Sequence, residues 1–257
     1  MDVAGATAVI TGAGSGIGRA VAHALAARGA LLVVTDVSEE RAATVAQEIV
    51  DAGGTAIGNA CDVSQLTDLA SARDLALDRF GRVDIVMNNV GVLVVGQVEM
   101  IPLAEWERVV DINLMSIVRS NLVFLPLLIE QGHGHVVNTA STAGLLPYGY
   151  DRLPYTTTKH AIVGLSEALA LYLRPQGVGV SCLCPAGVVT NIVEQMRFFG
   201  DATAPRGPAL AIVEAGVVGE LVADAVRDGT FLVLTTPEVR EELIERATDL
   251  DAYLQSR

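Results

Sequence analysis

Thr11-Gly12-Ala13-Gly14-Ser15-Gly16-Ile17-Gly18 is the stretch that decides the fold of this 257-residue chain. It follows an apolar run at residues 6–11 and opens an amphipathic pattern over 17–28 that stops at Gly29. A glycine bend between a strand and a helix has a physical use. Missing side chains let the backbone approach a pyrophosphate, and the helix N-terminus offers unpaired N–H groups and a partial positive charge. The competing reading is an ordinary Gly-rich turn. The strand–turn–helix setting is what weighs against it. No Gly-Lys-Ser/Thr ending follows, so this is not the phosphate loop of a nucleoside triphosphatase.

Working outward, short β-branched runs alternate with longer amphipathic stretches. Runs at 31–35, 55–60, 83–88, 135–139, 178–184 and 231–234 read as strands. Stretches at 39–52, 66–80, 103–131 and 154–173 read as helices, the third with a bend expected near Pro126. The alternation implies βαβ units with right-handed crossovers. The expected fold is α/β: a doubly wound, Rossmann-type parallel sheet of about seven strands with helices on both faces. Residues 1–257 read as a single domain, because no linker or repeat divides them. The break Gly200-Asp-Ala-Thr-Ala-Pro-Arg-Gly-Pro208 lies inside a longer segment, about 191–213, expected to be a mobile substrate-binding lid.

Composition narrows the function. The chain is 51% hydrophobic and 18% charged, enough apolar mass for a large core. A net charge of −13 repels phosphate backbones and argues against a nucleic-acid partner. Cys61, Cys182 and Cys184 form no spaced framework, which fits a reducing compartment, and alternation puts the last two on one strand face as buried thiols. The N-terminus lacks a signal-peptide pattern, and no uninterrupted apolar stretch is long enough for a membrane span, so the expectation is cytoplasmic with no membrane partner. His23, His133, His135 and His160 make no metal-ligand set, and no metal is expected. His133-Gly134-His135 reads as a solvated turn before a strand.

Asp36 closes the second strand, 18 residues after Gly18. A carboxylate there can accept hydrogen bonds from both ribose hydroxyls of an adenosine and would repel a 2′-phosphate. Val37, Ser38, Glu39 and Glu40 follow without a basic residue, and the glycine bend carries Ser15. The expected cofactor is therefore NAD(H) rather than NADP(H). Asp36 as a helix cap is the alternative, with Ser38 competing for that place. Cys61-Asp62-Val63 ends the third strand at the same edge, where Asp62 can meet the adenine or serve as a turn residue.

Tyr155 and Lys159 are four apart, so they share one helix face. Phenol has a pKa of about 10, and a nearby ammonium favours its ionised form. Tyr155 can then take a proton from an alcohol or return one to a carbonyl. Ser141, 14 residues earlier and just past the fifth strand, can orient the substrate oxygen. A surface Tyr/Lys pair and a turn Ser are the plain alternatives.

These residues resemble the short-chain dehydrogenase/reductase family. The match runs through the glycine bend Gly12, Ser15, Gly16, Ile17 and Gly18, then Asn88-Asn89-Val90-Gly91, Asn113, Ser141, Tyr155-x-x-x-Lys159 and Pro185-Ala186-Gly187 to Thr190, over roughly residues 5 to 190. Val90 stands where the family usually has Ala and changes packing behind the nicotinamide side. The resemblance implies an NAD(H)-dependent alcohol/carbonyl oxidoreductase with Tyr155 as acid/base, assisted by Lys159, Ser141 and Asn113. It implies that Asn113 holds a water linking Lys159 to solvent and that Lys159 binds the nicotinamide ribose. It further implies that Asn89, Gly91, Pro185 and Gly187 line the cofactor beside Asp62 and Val63, and that Val188 and Thr190 meet the carboxamide. It also implies a homo-oligomer, tetramer or dimer, built through the helices at 103–131 and 154–173.

On the substrate side, Met196, Phe198 and Phe199, Leu145-Leu146-Pro147-Tyr148 and Val92-Leu93-Val94-Val95 together suggest an apolar pocket. It would take a secondary alcohol or ketone on a hydrophobic or cyclic skeleton. Packing of the phenylalanines into the core or a subunit contact is the alternative. Two other classes compete: an S-adenosylmethionine-dependent methyltransferase, in which the Tyr-Lys-Ser set has no task, and a catalytically silent nucleotide-binding protein.

Overall fold

The computed structural model describes residues 1–147, 149–188, 195–204 and 212–256. The first half runs β1 (Thr7–Ile10), α1 (Gly16–Ala27), β2 (Leu31–Asp36), α2 (Glu39–Asp51), β3 (Thr55–Ala60), α3 (Leu66–Phe80), β4 (Ile85–Asn88) and β5 (Val94–Gly96). Then come α4 (Leu103–Val110), α5 (Ser116–Gln131), β6 (Gly134–Thr139), α6 (Leu153–Leu173), β7 (Val178–Cys184) and β8 (Gly187–Val188). The chain closes with β9 (Arg197–Phe199), β10 (Ile212–Val213), α7 (Ala215–Asp228), β11 (Leu232–Leu234), α8 (Val239–Thr248) and α9 (Leu250–Gln255).

Seven strands form one parallel sheet in the order β3-β2-β1-β4-β6-β7-β11. Alternation along each strand divides the core. Ala8 and Ile10 of β1 join Leu32, Val34, Ile85 and Met87 beneath α1, α2 and α7, whereas Val9, Val33, Val86 and Val136 face α3 and α5. Both faces are covered, so the central strands are rich in apolar residues, and the polar side chains they carry, such as His135, Asn138 and Ser181, are buried and hydrogen-bonded. The order reverses between β1 and β4, and the crevice outside their carboxyl ends is where such sheets bind ligands. The small β5–β9 and β8–β10 pairs lie outside the central sheet. Helices α8 and α9 follow it and bury Tyr253, whose hydroxyl donates to Glu242. Sequence patterning did not extend to them because their apolar stripe is thin.

The long helix at 103–131 departs from expectation. Pro126 lies within α5, and a π-turn at Asp111–Met115, which the sequence did not mark, divides α4 from α5. The whole helix is long and apolar enough to cross a bilayer by composition. Here it sends Val123, Phe124 and Leu128 into the core beside α3.

His135 is a second correction. It is not a solvated turn residue but lies on β6 and is 2% exposed. Burial pushes its pKa down to about 4. Ser181 donates its hydroxyl to Thr230 O, so the neutral ring donates Nε2–H to Ser181 Oγ, 2.8 Å away. Cys182 and Cys184 are buried on one face of β7 as expected, their sulfurs 3.7 Å apart.

Candidate active site

The glycine bend is held open by backbone geometry. Gly12 and Gly16 adopt φ of 62° and 53°, which side chains disfavour. A Cβ on Gly14 would lie 2.7 Å from an Asp36 oxygen, and one on Gly18 would collide with Gly12 O. Ser15 caps α1 without a side-chain hydrogen bond to it, so the first-turn N–H groups have no side-chain acceptor there. Asn89 anchors the bend to the sheet: its amide donates to Gly12 O at 3.2 Å, and its backbone N–H donates to Thr11 Oγ1 at 3.1 Å. Val90 reaches the same place, with its Cγ2 2.9 Å from where a Gly12 Cβ would stand.

A crevice of about 720 Å³ starts at this bend. Gly12, Ser15, Gly16, Ile17, Asp36, Asp62, Val63, Asn89 and Gly91 line its first part, and Ser141, Tyr155, Lys159, Pro185, Gly187 and Val188 its second. Gly18 lies beneath the bend, outside the lining, and Asn113 stands behind the wall. Thr190 and Tyr148 fall outside the described residues. A larger depression of about 930 Å³ between α1, α2 and α7 is lined largely by Gly and Ala, and its Arg19 and His23 are spent on Glu48. The chemistry lies in the first crevice.

Asp36 is 6% exposed. One carboxylate oxygen accepts from Ser38 N at 3.0 Å and from Arg41 at 2.8 and 3.2 Å, and the other accepts from Gly14 N at 3.2 Å. Ser38, not Asp36, caps α2, accepting from Arg41 N. Arg41 is the residue that sequence reasoning missed. It stands one place beyond the stretch inspected for a basic neighbour, in the first turn of α2, and lines the crevice. Asp62 accepts from Ser64 N as a turn residue and also lines the crevice.

At the other end, Ser141 follows β6 and begins a short 3-10 turn. Its oxygen accepts from Ala143 N at 3.1 Å, and it shares a hydrogen bond with the Tyr155 hydroxyl. It is thus a turn residue and a Tyr155 partner at once. Lys159 is 3% exposed, donates to Thr139 O at 2.8 Å and stands 5.4 Å from the Tyr155 ring centre. Burial pushes its pKa down to about 8. The Tyr155 phenol is moved up by burial, with the Ser141 hydrogen bond and the Arg152 charge pulling it down. Lys159 gives one of its three N–H donors to a backbone carbonyl and stays beside the phenol, while loss of water disfavours the phenolate.

Asn113 explains the π-turn. It is fully buried, its oxygen accepts from Val92 N at 2.8 Å, and its amide donates to Val92 O at 3.0 Å and Thr158 Oγ1 at 3.2 Å. The wide turn aims this side chain across to the loop after β4. Gly91 lies in that loop, and a Cβ there would make ordinary contact with Lys159 Nζ at 3.4 Å and with the Asn113 side-chain oxygen at 3.7 Å.

The substrate side differs from the apolar set read in the sequence. Leu145 and Leu146 are core residues, as are Val94 and Val95. Phe199 packs beside Val94 and Ile101, and Phe198 is 42% exposed. The lining is Val92, Leu93, Ile112, Gly149, Arg152, Gln195 and Met196. Of these only Val92, Leu93 and Met196 were anticipated, because alternation shows which residues share a face but not which face meets a cavity.

The whole arrangement fits a dinucleotide: a glycine cradle that side chains would fill, an uncapped helix start and a carboxylate at the ribose end. Comparison with known proteins agrees. The family model for short chain dehydrogenases matches residues 6–198. The chain is 34% identical to a D-beta-hydroxybutyrate dehydrogenase of Rhizobium meliloti over 84% of its own length and 82% of that protein's. It is 36% identical to a cyclohexanol dehydrogenase of an Acinetobacter species over 74% and 76%. A short-chain dehydrogenase/reductase from Burkholderia phymatum, crystallised in complex with NAD, superposes with a TM-score of 0.87 at 34% identity, covering 98% of this chain and 96% of that one. The glycine bend, the Asn113 clamp, the Ser141–Tyr155–Lys159 group and these likenesses converge: the chain belongs to the short-chain dehydrogenase/reductase family.

Proposed function

We propose that this protein is an NAD(H)-dependent oxidoreductase of secondary alcohols and ketones, with Tyr155 as general acid/base. The observation that carries the reading is the convergence of Ser141, Tyr155 and Lys159 on one wall of the dinucleotide crevice. Ser141 holds the substrate oxygen and the Tyr155 hydroxyl takes its proton in oxidation or returns it in reduction. Lys159, still mostly protonated near neutral pH, supplies a buried cation beside the phenol and a donor toward the nicotinamide ribose. Asn113 keeps the wall opposite Lys159 in place and sits where protons can be relayed. When bound, the nicotinamide accepts or donates the hydride and in its oxidised form adds a positive charge that favours phenolate.

NAD(H) is preferred over NADP(H), because the Asp36 carboxylate faces the place of the adenosine ribose and Arg41 steadies it. Ser15, Gly16, Ile17, Asp62, Val63, Asn89, Gly91, Pro185, Gly187, Val188 and Thr190 complete the cofactor site in this reading. The substrate carries an apolar, aliphatic or cyclic skeleton against Val92, Leu93, Ile112 and Met196. The segment expected to be its lid, about 191–213, lies in part (191–194 and 205–211) outside the described residues, and its described part brings Gln195 and Met196 to the crevice. One relative is named for a cyclic alcohol, which is the kind of skeleton in this reading, and the other for a hydroxy acid, a clear preference for which would overturn a purely hydrophobic substrate.

The test is absorbance at the reduced-nicotinamide band with a panel of alcohols and ketones. Turnover with NAD(H) is expected. Tight NADH binding without turnover across the panel would favour the silent nucleotide-binding alternative. Assembly through α6 and the 103–131 helix, where Leu122, Leu171 and Tyr172 are more than half exposed, completes the proposal. A dimeric or tetrameric mass by light scattering is the expected result.

A further inference from the structure

Among the described residues, the Tyr155 end of the crevice contains one charged group that the proposed reaction does not require. Arg152, just before α6, lines the crevice together with Tyr155, three residues further along the chain. Its position is unusual in electrostatic terms. It stands at the N-cap of a 21-residue helix and makes no side-chain cap there. A cation at the positive end of a helix dipole is unfavourable.

The surrounding structure nevertheless holds this cation in place. Arg152 Nε donates to Asp151 Oδ1 at 2.9 Å. Asp151 is itself buried, and its carbonyl accepts from Gly96 N at 2.7 Å. The arginine side chain lies across Gly149, where any Cβ would collide with it. One fifth of the side chain stays exposed. Around it the lining is apolar: Val92, Leu93, Ile112 and Met196. The described acidic residues of the lining, Asp36 and Asp62, stand at the glycine-bend end, and Asp151, which pairs with Nε of Arg152, is not part of the lining. A compact anion here would meet a guanidinium and a helix N-terminus together. Without a local cation, the net charge of −13 would oppose such a ligand.

We propose that the substrate is a hydroxy- or oxo-carboxylate, its apolar skeleton spanning from Tyr155 to Arg152 and its carboxylate received by the Arg152 guanidinium. This rests on the oxidoreductase reading and deepens it. The same cation also favours the ionised form of Tyr155, so a neutral alcohol would gain part of its effect but not the binding.

Matched substrates test this: 3-hydroxycyclohexanecarboxylate against cyclohexanol, and 3-hydroxybutyrate against 2-butanol, each with NAD⁺. The wild type is expected to favour the carboxylate in kcat/KM. In Arg152→Gln the carboxylate-to-neutral ratio falls about 100-fold, mainly through KM, and Arg152→Lys recovers part of it. NADH titration reports whether each variant is folded. A wild-type preference for the neutral member overturns the proposal, as does an unchanged ratio in Arg152→Gln. Calorimetric titration of the NADH complex with cyclohexanecarboxylate gives a readout without turnover: saturable binding, lost in Arg152→Gln, supports the proposal, and no binding to the wild type overturns it. Absence of turnover with either member of a pair, alongside that binding, would sink the oxidoreductase reading and leave the anion site standing.

Discussion

The two ends of the crevice are each built on an aspartate–arginine pair, and they differ in whether the carboxylate joins the lining: Asp36 does so beside Arg41, and Asp151 does not. At the adenosine end Asp36 is the inner group: its side chain is 7% exposed, and Arg41, 39% exposed, braces it from outside. At the catalytic end Asp151, with its side chain 9% exposed, is the brace, and Arg152 is the partner that lines the cavity. The lining thus carries a carboxylate and a guanidinium at one end and, of the second pair, the guanidinium at the other. Which members reach the lining is a matter of backbone placement. Asp36 ends a buried strand, and Arg152 begins a helix.

Replacing Tyr155, the proposed acid/base at the second end, should have the largest effect. Tyr155→Phe is expected to lower kcat about 10² to 10⁴-fold, the range general acid–base catalysis supplies, while NADH binding by fluorescence stays nearly intact. An almost fully active variant would break the assignment. Next, Asp36→Arg inverts the adenosine end. The NADH-to-NADPH affinity ratio should fall by about 100-fold, about 2.7 kcal/mol, and an unchanged ratio would remove Asp36 from its role.

A subtler change loosens only the brace. Arg41→Ala should weaken NADH roughly 10-fold through a less ordered Asp36, with NADPH affected less. Selective loss of NADPH would instead make Arg41 a phosphate ligand. The smallest effect is a titration. Lys159 is buried with its pKa at about 8, below the usual lysine value. Below that pH it is a cation in the free protein, and above it the charge is lost. NADH affinity should therefore decline as pH rises through about 8, and Lys159→Met should flatten the curve. The stability consequence has the opposite sense. The folded protein binds fewer protons than the unfolded chain between pH 8 and the ordinary lysine pKa, so burial of Lys159 costs less as pH rises through that window.

The adenosine end was largely legible in the sequence because its features are local. A glycine bend, a strand end and a carboxylate follow one another in the chain, and backbone chemistry gives each a reason. Arg41 escaped only because it lies one residue further along, on the first turn of a helix that folds back toward Asp36. The catalytic end was legible in its Tyr155–Lys159 spacing but not in its walls. Leu145 and Leu146 look like pocket residues in one dimension and are core residues in three.

Local order along the chain determined the alternation of strands and helices, the nucleotide-binding bend and the face shared by Tyr155 and Lys159, since periodicity and glycine conformation act over a few residues. Tertiary structure alone decided that Asn113 enters a π-turn to clamp Val92, that Lys159 spends a hydrogen bond on Thr139, and that Arg152 rather than a phenylalanine lines the substrate side. Those outcomes depend on contacts between segments tens of residues apart, where burial and desolvation, rather than local preference, determine which polar groups are paired and which meet the ligand.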